Sequence, residues 1–72
     1  MVDIERIREK LAIQDKTMQE LADFVGVHLS TLYRKFENHG EGLSLKEASK
    51  IKQFLGLSKN EAEEIFFGLL VA

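Results

Sequence analysis

The sequence predicts an all-α domain, a compact bundle of five helices. Three observations carry this. Proline is absent, and apolar residues rarely alternate with polar ones, so strands have little support. The segments Thr17-Met-Gln-Glu20, Ser44-Leu-Lys-Glu47 and Ser58-Lys-Asn-Glu61 all match the capping box. In that motif a hydroxyl accepts from the N–H three residues on, and the acid reaches back to the cap's own N–H. Each match stands just before an apolar run at helical spacing.

The first helix is expected over about Asp3 to Ile13, with Ile4, Ile7 and Leu11 on one face. The second runs from about Met18 to Val25, with Leu21, Ala22 and Val25 inward, and stops at Gly26. The third spans about Leu29 to Glu37, where Leu32 and Phe36 share a face at i, i+4. The stretch "NHGEG" then interrupts the chain with two glycines. The fourth covers about Leu45 to Leu55, with Ala48, Ile51 and Leu55 inward and Gly56 as its stop. The fifth is expected from about Lys59 to Leu70. Ala62, Ile65, Phe66 and Leu69 would form its inward stripe, leaving Phe67, Leu70 and Val71 on another side to seek a second surface.

Length and composition bound the rest. The 72 residues fit one small domain. With no cysteine, neither a disulfide nor a thiolate metal site can staple it. The longest apolar stretch, "IFFGLLVA", falls far short of the roughly 20 residues a membrane span needs. The charged N-terminus lacks a signal-peptide core, so a cytoplasmic location is expected. Ten Lys and Arg face twelve Asp and Glu, for a net charge of −2. The excess acid lies at Glu61, Glu63 and Glu64, against Lys59; residues 1–56 balance at nine of each sign. A nucleic-acid binder normally shows a basic surplus. No phosphate loop, nucleophile–base pair or metal cluster appears, so neither an enzyme nor a cofactor is expected. His28 and His39 stand alone, without ligand spacing.

The informative spacing is Leu21-Ala22-x-x-Val25-Gly26-Val27-x4-Leu32. It describes two short helices crossing at a tight turn: a small Ala22, a Gly26 free to take positive φ, and apolar residues filling the corner. The stretch "TMQELADFVGVHLSTLYRKF" resembles the helix-turn-helix of the Cro/phage-repressor (xenobiotic-response-element) family, and "SLKEASKIKQFLGLSKNEAEEIFF" resembles the two trailing helices of its small phage-encoded members. Together the resemblance covers roughly residues 4–67. It is specific for a lambda-repressor-like fold and less so for function, because the same fold serves repressors and antirepressors. Within the family the chain is most similar to the small modulator-of-repression proteins of temperate phages of Gram-positive bacteria.

The resemblance implies a binding face on the second and third helices. Carried over, the base-facing candidates are His28, Leu29, Ser30 and Arg34, and the backbone-contacting ones Thr17, Tyr33, Lys35, Asn38 and His39. Arg34 suits a guanine, since its planar fork matches O6 and N7. Met18, Gln19 and Phe24 complete the partner- or DNA-binding set. Three positions depart from the family. Met18 stands where a phosphate-holding Gln is frequent, Phe24 where a long polar residue is common, and Leu29 where a polar reader is usual.

An exposed apolar residue on such a helix serves either a thymine methyl or a pocket on a protein partner. The missing basic surplus favours the second use. Two functions are therefore expected to compete. One is an antirepressor that binds the cognate phage repressor, with Glu20, Asp23 and Glu37 meeting its basic residues and operator DNA reached through the repressor complex. The other is a Cro-like operator-binding repressor acting alone. Self-association through the C-terminal helix is a further expectation. An accessory domain of a longer protein is the least favoured reading, given the initial Met and the full helix count. On this view Leu29→Asp should abolish partner binding and spare stability.

Overall fold

The computed structural model describes residues 2–67, through which run five helices: α1 (Ile4–Ile13), α2 (Met18–Val25), α3 (Leu29–Glu37), α4 (Leu45–Leu55) and α5 (Lys59–Phe66). No strand occurs among the described residues, and none of these helices is long and apolar enough to cross a membrane.

All three capping boxes form. Thr17, Ser44 and Ser58 accept from the N–H groups of Glu20, Glu47 and Glu61 at 3.0, 3.0 and 3.1 Å. Those glutamates accept from the cap N–H groups at 2.8, 2.8 and 3.0 Å. A cap of this kind contributes about 1 kcal/mol. Asp3 caps α1, its Oδ1 accepting from the Arg6 N–H at 3.2 Å. Gly26 and Gly56 end α2 and α4 at φ +89° and +63°.

The fifth helix is shorter than its apolar periodicity predicts. It stops at Phe66, and Phe67 turns left-handed at φ +48° with its N–H on the Glu63 carbonyl at 2.8 Å. The N-terminal strap supplies the reason. The Asp3 N–H donates to the Ile65 carbonyl at 2.7 Å, the acceptor that a continued helix would offer to residue 69. The expected helical run through Leu70, with Leu69 inward and Leu70 and Val71 outward, lies outside the described residues.

One core gathers a stripe from every helix: Ile7 and Leu11, Leu21 and Ala22, Leu32 and Phe36, Ala48, Ile51 and Leu55, and Ala62, Ile65 and Phe66. α2 packs on both α3 and α4, and α1 packs on α5. Burying each large apolar side chain stabilises the fold by about 2 kcal/mol before chain entropy is counted.

Polar ties then fix the helices against one another. Lys10 on α1 pairs with Glu61 on α5, and Arg6 pairs with Glu64 at 2.9 Å. Lys35 on α3 donates to both carboxylate oxygens of Glu47 on α4, at 2.9 and 3.0 Å. Burial raises the Glu47 pKa, but the bonds from Lys35 and the Ser44 N–H outweigh it and leave the group below its usual range. Glu61, held by Lys10 and the Ser58 N–H, is lowered to about 2. Two side chains from the α1–α2 loop close the C-terminus of α4. Gln14 Nε2 donates to the Leu55 carbonyl at 2.8 Å, and Lys16 Nζ to the Phe54 carbonyl at 2.7 Å.

The N-terminus is stitched in at a second point, where the Val2 N–H donates to the His39 carbonyl at 3.2 Å. Val2 lies so close to Gly40 that a Cβ there would sit 2.5 Å from its own Cβ, and Gly40 has φ +80°. Gly26 shares the positive φ, but nothing lies within 4 Å of its missing Cβ.

Two predictions follow from these contacts. Gly40→Ala, which meets both the clash and the strained φ, should destabilise by at least about 2 kcal/mol and lower the melting temperature by roughly 10 °C. Gly26→Ala should cost only the φ term, about 1–2 kcal/mol; equal losses in thermal melts of the two variants would show that Val2 does not constrain the loop. The second concerns acid. An unfolded glutamate titrates at roughly 4.3 and Glu61 at about 2, so the Lys10–Glu61 pair stabilises fully above about pH 5 and fades as pH falls towards 2. Glu61→Gln keeps the cap, because glutamine also serves in the motif, but loses the pair. Its deficit against the native chain, measured by urea unfolding, should be largest at neutral pH and close near pH 2.

Candidate functional site

The α2–α3 corner is built by the turn at Gly26. The N–H groups of Gly26 and Val27 both bond to the Ala22 carbonyl, at 2.8 and 3.1 Å, and Ala22 is fully buried. α3 therefore lies close against α2, anchored inward by Leu32 and Phe36.

The opposite side of α3 is a stripe of Ser30, Tyr33, Arg34 and Glu37, all exposed and spaced i, i+3, i+4, i+7 as one helical face requires. Arg34 forms no ion pair among the described residues. His28 and Asn38 are exposed at the two ends of the helix. His28 is the N-cap of α3 but makes no capping bond, whereas every other helix start has a side-chain cap. The first turn of α3 thus keeps its N–H donors free of a side-chain acceptor.

The other expected site residues go elsewhere. Leu29 is half-buried and packs against the core, as does Met18. Three residues before Leu32, Leu29 lies at the edge of the buried face, leaning onto it while part of its side chain stays outside. The Lys35 amino group lies between α3 and α4 with Glu47, both side chains mostly sheltered at 20% and 15% exposure. It is an internal tie and no longer a free cation for phosphate. Thr17 is engaged in its cap, and Gln19 donates to Asp23 at 2.9 Å on the outer side of α2. His39 is exposed in the left-handed region, at φ +58° in the loop after α3.

Phe24 separates from the rest. Its ring packs on Phe54 of α4, with centroids 5.2 Å apart, and remains 40% exposed. Lys50 Nζ stands 5.4 Å from the Phe24 centroid, and Lys16 Nζ 4.5 Å from that of Phe54. No spacing in the sequence assigns Phe54, Lys16 or Lys50 to a site. The signal for Phe54 is an aromatic residue beside the Ala48–Ile51–Leu55 stripe and not on it.

The electrostatics of the α2–α3 unit are therefore acidic. Glu20, Asp23 and Glu37 are exposed on α2 and α3, against Arg34 as the exposed Lys or Arg of those two helices once Lys35 is bound to Glu47.

Leu29→Ala should lower stability by about 1–2 kcal/mol, as expected for truncating a half-buried leucine. Arg34→Ala should stay within about 0.5 kcal/mol of the native chain, as surface changes do. Chemical denaturation of both variants tests this, and a Leu29→Ala curve that overlays the native one would return Leu29 to the exposed face.

Compared with known proteins, the chain matches no family model, no curated protein and no solved structure.

Proposed function

We propose that the chain is a phage-type transcription regulator that docks the outer face of α2 and α3 on the DNA-reading surface of a partner repressor, and so relieves or modifies repression in the bacterial cytoplasm. The observation that carries this reading is the charge of the face. Arg34 is outnumbered by Glu20, Asp23 and Glu37, and Lys35 is held by Glu47. DNA affinity comes largely from cations that displace the counterions of phosphate, and a face of this sign repels phosphate. It complements a protein surface rich in arginine and lysine, where opposite charge steers the encounter. Tyr33, 40% exposed at the centre of the stripe, supplies the aromatic anchor common at protein interfaces.

A Cro-like reading keeps one observation in its favour. Arg34 and Ser30 lie one turn apart on the exposed face, and Arg34 is in no ion pair among the described residues. That geometry suits a base edge.

The two readings part in one experiment, at about 150 mM salt because DNA affinity depends steeply on it. The pure chain is titrated against operator DNA, alone and with the cognate repressor. The expected result is a stable protein–protein complex with no independent, sequence-selective DNA binding. Glu37→Lys should weaken that complex by about tenfold, as truncating or reversing an interface charge does. Tight selective binding of operator by the chain alone would establish the Cro-like reading instead.

A further inference from the structure

The Phe24–Phe54 pair is a built patch that the face on α3 does not use. An ammonium group stands over each ring, Lys16 over Phe54 and Lys50 over Phe24. Lys46 is exposed one turn before Lys50. None of these lysines forms an ion pair among the described residues. Lys16 gives one N–H to the Phe54 carbonyl, and an ammonium has two more to offer. The patch is thus apolar at its centre and cationic at its rim.

The same chain carries the complement. Of the α5 carboxylates, α1 binds two, with Lys10 on Glu61 and Arg6 on Glu64. Glu63 is exposed and forms no ion pair among the described residues. One turn further on stands Phe67, 63% exposed, its N–H bonded to the Glu63 carbonyl. An exposed carboxylate and an exposed aromatic residue, linked through one backbone hydrogen bond, thus stand at the end of α5.

We infer that a second copy of this chain covers the patch: Phe67 of one copy packs on Phe24 and Phe54 of another, and Glu63 pairs with Lys50. Nucleic acid fits less well. Glu20 and Asp23 stand exposed on the same helix as Phe24 and would repel phosphate. The contact would form whatever α3 binds. Reciprocal docking would close a two-fold dimer, the commonest symmetry of homo-oligomers.

Sedimentation equilibrium on the intact chain tests this from about 10 μM to about 1 mM, a range that brackets weak self-association. Runs at about 30 mM and about 500 mM salt separate a charge-dependent contact from a purely apolar one. The expected mass rises with concentration at low salt and falls back at high salt. Lys50→Glu and Glu63→Lys should each weaken association about tenfold or more by setting like charges together. An equimolar mixture of these two variants should associate as the native chain does, because every contact between them again pairs opposite charges. Circular dichroism checks that both surface variants fold. A monomer at every concentration would overturn the proposal. So would association indifferent to both reversals, or a mixture no stronger than the single variants.

Discussion

One carboxylate performs two functions at two of the capping boxes, and the arrangement of the helices depends on it. Glu47 begins α4 by accepting from the Ser44 N–H, and also binds Lys35 of α3. Glu61 begins α5 by accepting from the Ser58 N–H, and also binds Lys10 of α1. Each therefore couples the start of one helix to the position of another. In a chain without disulfides, whose core is near the lower size limit for independent folding, this coupling gives the apolar contacts a single angle at which to pack. Glu20, the third of the set, caps α2 with no lysine partner among the described residues, and that helix is placed by packing on α3 and α4.

The same economy shapes the outer face of α2 and α3. Lys35 would be a phosphate contact on a family argument, but its bond to Glu47 makes it a structural part. Removing that cation from the surface leaves the acids of α2 and α3 dominant. Stability of the α3–α4 junction and the sign of the outer face of α2 and α3 thus share one cause. A positive face on this scaffold would require a different way of tying α3 to α4.

The fold was legible because its punctuation is local. Ser or Thr with Glu three residues on marks the starts of α2, α4 and α5, and Gly26 and Gly56 mark two ends, so each boundary is written within a few residues of itself. α3 has no side-chain cap and was read from the spacing of Gly26, Val27 and Leu32. The end of α5 is not written locally, because the Ile65 carbonyl is taken by Asp3, far away in sequence. The site was legible only in part, for the same reason. Ser30, Tyr33, Arg34 and Glu37 follow from helical spacing once Leu32 and Phe36 are inward. The fates of Lys35 and Phe24 are set by Glu47 and Phe54 on another helix, and Leu29 needed the packing of the corner to be placed.

The strap at the N-terminus has a consequence for how the protein is made. Ribosomes deliver the chain from its first residue, so α1 appears first, while α5, the helix it packs on most closely, appears last. Asp3 finds the Ile65 carbonyl only after the residues of all five described helices have been made. Until then the Ile7 and Leu11 stripe has no α5 to cover it. Closure of Asp3 on Ile65 therefore joins the first of the described helices to the last across the length of the bundle.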